Sequence, residues 1–334
     1  MTGWDVSQEN IVHKPVLMNE AIDLLLSRGG TIFLDGTVGS GGYAEEILKR
    51  LHPDVLVIGI DRDDAAIERS RSRLQQFIES GNLKLYQESF ERFPLVLKQE
   101  GIRQIDGAVL DLGVSTEQLM EAERGFSFIR NGPLDMRMDR RTKKTAADLV
   151  NELSEKELAD IFFRYGEERF ARRIADAIVK ARKTRPITTT GDLVNIILSV
   201  LPEKEKRSRI HPATRVFQAL RIKLNRELEA LNSFLDIILD YLRPGGVVCI
   251  VSFHSLEDRI VKERFKAWTK TCSCPPNLPV CQCGRKEPRA VLLTRKAIKP
   301  SQEEIDQNPR ARSAKLRAAA KWAGEMSSPE AEQC

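Results

Sequence analysis

Four short apolar runs, at 31–35, 55–61, 83–87 and 106–113, are each bounded by turn residues. They alternate with stretches such as 43–51 and 64–78, in which apolar residues recur at helical spacing. None of the four runs alternates polar with apolar, so each is expected to be covered on both faces. Strands of that kind separated by helices predict a parallel sheet with helices on both sides. From about 115 to 225 the rhythm stops and only helical periods appear, for example at 155–163, 168–181 and 191–201. It resumes with a helix at 226–242, the turn Arg243-Pro-Gly-Gly246, a strand at 247–253, a helix at 256–268 and a strand at 290–294. Beyond Pro300 a charged tail is expected to be loosely ordered as far as a short basic helix near 312–322. A sheet interrupted in sequence and then resumed predicts one discontinuous α/β domain, 1–114 and 226–334, carrying an all-helical insert at 115–225.

Of the 334 residues 41% are hydrophobic and 30% charged, which excludes a disordered or fibrous chain. No apolar run approaches the roughly 18–20 residues needed to span a bilayer. Residues 1–10 are polar and lack a signal pattern, so a cytoplasmic location without membrane contact is expected. Charge is uneven: residues 140–225 hold 20 Lys+Arg against 11 Asp+Glu, although the whole chain is only +5. A polyanion held by the basic segment is one reading, and solvated helix faces are the other.

The first strand leads into Asp35-Gly-Thr-Val-Gly-Ser-Gly-Gly42 and then a helix, a loop that lets the backbone approach a ligand closely. Gly39-x-Gly41-x-x-Ala44 also satisfies the dinucleotide fingerprint, so an oxidoreductase must be weighed. Asp35, Asp61 and Asp111 stand at the carboxyl ends of successive strands, where such sheets bind ligands. Asp61 suits ribose hydroxyls in either reading. Carboxylates near a pyrophosphate would repel it, by about 1 kcal/mol per charge pair at 4 Å in water and more when partly buried. S-adenosylmethionine carries a sulfonium and an ammonium and no phosphate, so an acidic crevice favours it. The alternatives are that each aspartate merely caps a helix, and that Arg62 accepts an NADP phosphate.

Several blocks of the chain resemble the ribosomal RNA small-subunit cytosine-N4 methyltransferases (the RsmH/MraW type). They are His13-Lys-Pro-Val-Leu17, the glycine loop, Gly59-Ile-Asp-Arg-Asp63, Leu110-Asp-Leu-Gly-Val-Ser115 and Glu123-Arg-Gly-Phe-Ser-Phe128. Gly132-Pro-Leu-Asp-Met-Arg-Met-Asp139, Tyr165-Gly-Glu-Glu-Arg-Phe170 and His211-Pro-Ala-Thr-Arg-Val-Phe-Gln218 follow. Ser252-Phe-His-Ser-Leu-Glu-Asp-Arg259 and Asn308-Pro-Arg-Ala-Arg-Ser-Ala-Lys-Leu316 complete the set. The resemblance implies a class I S-adenosylmethionine-dependent methyltransferase, with a Rossmann-like, mostly parallel sheet and an inserted helical domain. It implies N4-methylation of a cytidine in 16S ribosomal RNA near the decoding region, with the small ribosomal subunit as partner. It further implies cofactor contacts at Gly41, Gly42, Tyr43, Asp61, Phe90, Asp111 and Gln118. The family commonly has His where Tyr43 stands and Ser where Thr116 stands.

Methyl transfer from a sulfonium is an in-line displacement that proximity alone can accelerate by about 7–11 kcal/mol. The cytosine amine is a poor nucleophile, which an acceptor on its N–H would improve. Asp111, or a carbonyl in its loop, is expected to do this, with cofactor binding alone as the equal alternative. His254, at the end of the resumed strand, either contacts the base or RNA backbone or is a structural turn residue. Phe90, Phe126, Phe128 and Phe253 are available to stack on an unstacked base, with core packing as the alternative for each. Arg140, Arg141, Lys143 and Lys144 form the densest basic cluster, and Lys204, Lys206, Arg207 and Arg209 a second. With His211 and Arg215 they are the expected RNA contacts. Cys272, Cys274, Cys281 and Cys283 could supply four thiolates to a structural zinc; a reduced, metal-free loop and disulfides are the alternatives.

Overall fold

The computed structural model describes residues 15–207, 210–272, 282 and 287–324. Seven strands form one sheet: β1 (Ile32–Asp35), β2 (Leu56–Asp61), β3 (Leu83–Gln87), β4 (Ile105–Asp111), β5 (Leu242–Ser252), β6 (Ala290–Leu292) and β7 (Lys315–Lys321). Their order is β3-β2-β1-β4-β5-β7-β6. β1 to β5 pair in parallel, and β7 runs antiparallel to both its neighbours. The four apolar runs became β1 to β4; β1, β2 and β4 are buried through their middles because helices cover both faces, whereas in β3, at the sheet edge, only Leu83 is buried. Two separate apolar clusters result. One gathers the helices Met18–Leu26 and Gly42–Leu51 on one face, and the other gathers Phe93–Gln99 and Glu227–Tyr241 on the opposite face.

Arg243-Pro-Gly-Gly246 is absorbed into β5 as an irregularity, where the register against β4 jumps from Ile105–Leu242 to Gly107–Val247. The tail corrects the sequence reading. Residues 315–321 form β7 rather than a basic helix, wedged between β5 and β6. Leu316, Ala318 and Ala320 pack on one face and Ala319 on the other. Alanine's helix preference is small, and the paired backbone and close sheet-to-helix packing override it. The segment before β7 is also ordered, with a helix at Gln302–Gln307 whose Glu304 Oε1 accepts from Leu17 N–H at 2.8 Å.

Among the described residues between β4 and β5 there are helices but no strand, the helices including Ala146–Glu152, Glu155–Gly166, Ala171–Arg182, Thr190–Val200 and Ala213–Asn225; an irregular segment at 125–145 meets Thr189 by one isolated bridge from Pro133. Three of their starts carry reciprocal caps, at Ser115, Thr145 and Ser154. A third apolar cluster, running from Phe126 to Leu220, is built wholly from this stretch. The chain returns to the sheet through Arg226, whose positive φ of 52° breaks Ala213–Asn225 from Glu227–Tyr241. Among the described residues no helix is long and apolar enough to cross a membrane.

Candidate active site

Strand ends and loops converge at the carboxyl edge of the sheet, around a cavity of about 320 Å³. The glycine loop forms one wall. Val38 N–H donates to Ile60 O at 2.9 Å and Gly36 N–H to Val109 O at 3.0 Å, tying the loop to strands on both sides. Gly41 has φ 88°, and a Cβ there would sit 2.7 Å from Leu74 Cδ1. Only glycine fits that turn.

Asp35 is the corrected member of the acidic trio. It is fully buried beneath the loop, accepting from Ala44 N–H at 3.1 Å and Thr37 N–H at 3.3 Å, and does not line the cavity. Here the capping alternative holds. Burial pushes its carboxyl up to about 7, with the charge of Asp61 adding to the effect. Asp61 does line the cavity, with Oδ2 accepting from Gly39 N–H and Oδ1 from Asp63 N–H, each at 2.9 Å. Burial raises its carboxyl too, against those two bonds.

Asp111 lines the same cavity. Its N–H donates to Thr37 Oγ1 at 2.7 Å, while its Oδ1 is buried and has no hydrogen-bond partner among the described residues. Burial, then the neighbouring charges of Asp35 and Glu257, hold this carboxyl well above its ordinary range. A buried acceptor without a partner is costly, so the cavity is incomplete without a donor or a cation at Asp111.

Tyr43 and Gln118 border the cavity with side chains that are already committed. Tyr43 is buried and its hydroxyl donates to Val16 O at 2.8 Å, so the chain leading into the helix Met18–Leu26 hangs on it. Gln118 closes the Ser115 cap through Oε1 and donates from Nε2 to Asp63 Oδ2 at 2.7 Å. Phe90 forms apolar wall, edge-on to Phe234 at 5.8 Å with the Arg62 guanidinium over its ring. Arg62 lines the cavity and is held in place, donating to Asn225 O at 2.7 Å, at the end of the helical stretch. Of the other phenylalanines, Phe253 lines the cavity, Phe126 is buried under Arg124, and Phe128 packs on His211 and Phe217.

His254 caps the helix Ser255–Trp268, its Nδ1 accepting from Glu257 N–H at 3.4 Å. Glu257 answers by accepting from Phe253 N–H at 2.9 Å and His254 N–H at 3.3 Å. The turn role of His254 is thus the one the geometry expresses. His211 is exposed and stacked against Phe128 at 4.6 Å, and burial of its ring lowers its pKa, which favours the neutral form. Arg215 is exposed on the helix Ala213–Asn225.

In the basic cluster Arg141 pairs with Asp139 and Lys144 with Glu152, at 2.8 and 2.7 Å. Arg140 and Lys143 are exposed and carry no salt bridge among the described residues. In the second cluster Lys206 pairs with Glu203, and Arg209 lies outside the described residues. So do Cys274, Cys281 and Cys283, while Cys272 is exposed.

Sequence reasoning missed Arg221, Glu227 and the side chain of Glu257, all of which line the cavity. Arg221 donates from Nε and Nη2 to the two oxygens of Glu227, both at 2.9 Å, across the break at Arg226. No periodicity reveals a pair that meets around a left-handed residue. Glu257 stood in a quoted block, but nothing in its spacing set it apart from its neighbours.

The sequence profile of the MraW methylase family matches residues 10–322. The chain belongs to the MraW methylase family. The chain is 50% identical over 309 residues to the ribosomal RNA small subunit methyltransferase H of Syntrophobacter fumaroxidans, spanning 92% of this chain and 96% of that protein. The protein of the same name from Halothermothrix orenii is 47% identical over 307 residues, spanning 92% and 97%. As an MraW methylase the chain is a methyltransferase, and its sheet, with β7 reversed between β5 and β6, is the class I methyltransferase sheet. The block resemblance read from the sequence and the family match agree along the chain.

Proposed function

We propose that this methyltransferase carries a methyl group from S-adenosylmethionine to the N4 amine of a cytidine in 16S-type ribosomal RNA, near the decoding region. The observation that carries the reading is the unpartnered, buried Oδ1 of Asp111 in a cavity that Asp61 also lines. The residues present fit a cationic donor. A pyrophosphate would meet two carboxylates, whereas a sulfonium or ammonium relieves both, and a partly buried site magnifies the difference. When bound, the donor supplies an activated methyl group on sulfur.

The remaining work belongs to the chain. Gly42 lines the cavity, Gly41 makes the left-handed turn before it, and Asp61 keeps one lone pair on each oxygen for ribose hydroxyls beyond its two backbone bonds. Phe90 is the apolar wall, Tyr43 contributes backbone while its ring anchors Val16, and Gln118 fixes the loop that follows β4. Asp111 accepts a hydrogen bond from the target amine, concentrating its lone pair toward the methyl group, and then receives the proton. The target base must be unstacked to reach so enclosed a group, which single-stranded RNA permits.

The helical stretch 115–225 grips RNA phosphates, with Arg140 and Lys143 as the unpaired cations of its densest cluster and Arg141, Lys144, His211 and Arg215 beside them. His254 serves as a positioning residue for Glu257. A structural zinc on Cys272, Cys274, Cys281 and Cys283 is a separate reading, tested by metal analysis of freshly purified protein.

Labelled methyl incorporation into purified small subunits and into naked small-subunit RNA, followed by nucleoside analysis, tests the reaction. Label in N4-methylcytidine is expected. Label in any other nucleoside, or none, overturns the reading.

A further inference from the structure

Besides Asp111, the cavity is lined by the charged side chains of Arg221, Glu227 and Glu257. These side chains are well buried, Arg221 15% exposed and Glu227 9%. Arg221 spends Nε and Nη2 on Glu227, and no hydrogen bond among the described residues uses its Nη1. A guanidinium held by a two-point fork has its third nitrogen aimed by geometry rather than by chance. Glu257 lines the same cavity, and its charge acts on both Asp111 and Arg221. So one cavity is lined by a buried acceptor without a partner, Asp111 Oδ1, and by a guanidinium nitrogen, Arg221 Nη1, that no hydrogen bond among the described residues uses.

Glu227, His254 and Glu257 also bring ligand atoms within 4.8 Å of one another. Both Glu227 oxygens are already spent on Arg221, and His254 Nδ1 on the helix N-terminus. His254 Nε2 lies 3.1 Å from Glu257 Oε1 and has no hydrogen-bond partner among the described residues.

We propose that Arg221 reads the target base: its Nη1 donates to the ring N3 while Asp111 Oδ1 accepts from the neighbouring exocyclic amine. The inference rests on the proposed cytidine substrate. On a cytosine edge the amine donor and the N3 acceptor are adjacent, so an acceptor beside a donor in the protein matches both. Uracil inverts the pair, placing a carbonyl against Asp111 and an N–H against a guanidinium. Two unpaired buried contacts then replace two good ones, the situation in which a polar site rejects an analogue most strongly. Adenine shares the amino–imino pattern, so Arg221 separates amino from oxo bases and ring size is left to the cavity walls. Glu227 acts through Arg221 and is a positioning residue.

The test places 3-deazacytidine, which keeps the amine but lacks the N3 acceptor, at the target position of small-subunit RNA. Single-turnover methylation is compared for the wild-type chain and for Arg221→Lys, whose ammonium can stay on Glu227. Loss of a hydrogen bond from a charged donor is expected to slow the wild-type reaction about 10- to 100-fold. In Arg221→Lys the same base change alters the rate by less than about 3-fold, because the contact is already gone. The Arg221→Gln, Glu227→Gln double variant, which removes the ion pair as a unit, gives the same result and covers a failure of the single variant to fold. Cofactor affinity by calorimetry stays level across all three. A wild-type enzyme that methylates cytidine and ignores the deaza substitution overturns this assignment alone, as does equal sensitivity in wild type and variants. A wild-type enzyme that methylates no cytidine overturns the proposed reaction and this contact together.

Discussion

Arg124 Nη1 lies 2.9 Å from Asp63 Oδ2, with the two side chains 4% and 0% exposed. The same oxygen accepts from Gln118 Nε2, while Asp63 Oδ1 caps the helix Asp64–Arg73 and its N–H donates to Asp61. Arg124 in turn donates to the carbonyls of Arg137 and Met138. One buried carboxylate thus joins the wall that holds Asp61 to the beginning of the helical stretch. Removing one partner of such a pair strands a charge, at a cost of about 3–5 kcal/mol. Arg124→Met is expected to lose that much in urea unfolding and to weaken cofactor binding. Adding Asp63→Asn to it should restore part of the stability, since the stranded charge is gone.

Asp111→Asn keeps the shape of the cavity and removes the acceptor charge. Turnover is expected to fall by at least about 100-fold, the usual scale for losing a proton acceptor. Calorimetry should find the cofactor still bound. Loss of binding would assign Asp111 to cofactor recognition instead of the amine.

Asp35 makes a prediction in pH. Its carboxyl is raised from 3.8 to about 7, so the unfolded chain ionises it first. The stabilising contribution is complete below about pH 4 and is lost as pH rises through about 7. Over that window wild type should lose on the order of 4 kcal/mol relative to Asp35→Asn, which keeps an acceptor for Ala44 N–H. Unfolding free energies at a series of pH values check this; parallel curves would refute it.

The sheet was legible because buried parallel strands leave unbroken apolar runs, and β1 to β4 were read from them to within two residues. β7 was misread because Lys315–Lys321 is rich in alanine and basic residues, a helix-like composition, and its strand state comes from pairing with β5, more than sixty residues earlier. The cavity was half legible. The glycine loop, Asp61 and Asp111 carry their chemistry in local sequence, and the structure brings them together. Asp35 looks identical to them in sequence, yet its side chain turns under the loop to cap Gly42–Leu51. Arg221 and Glu227 meet only because the chain turns left-handed at Arg226, a conformation that arginine rarely adopts and nothing nearby announces.

Salt dependence distinguishes the two halves of the basic cluster. Each phosphate contact contributes about 0.7 to the slope of log affinity against log salt on single-stranded RNA. Arg140→Ala and Lys143→Ala should each reduce the slope by about that amount. Arg141→Ala and Lys144→Ala should change it less, because Asp139 and Glu152 already neutralise those cations. Filter binding across a salt series measures all four, and a flat wild-type slope would remove RNA phosphates from the account.

The charge that the cavity at the carboxyl edge of the sheet receives decides between a cationic methyl donor and a phosphate-bearing nucleotide. Isothermal titration of the purified chain with S-adenosylmethionine and, separately, with NADP measures this directly. One molecule of S-adenosylmethionine bound per chain, at least about tenfold weaker in Asp61→Asn, with no heat from NADP, is the predicted result. Binding of NADP with indifference to S-adenosylmethionine would contradict it.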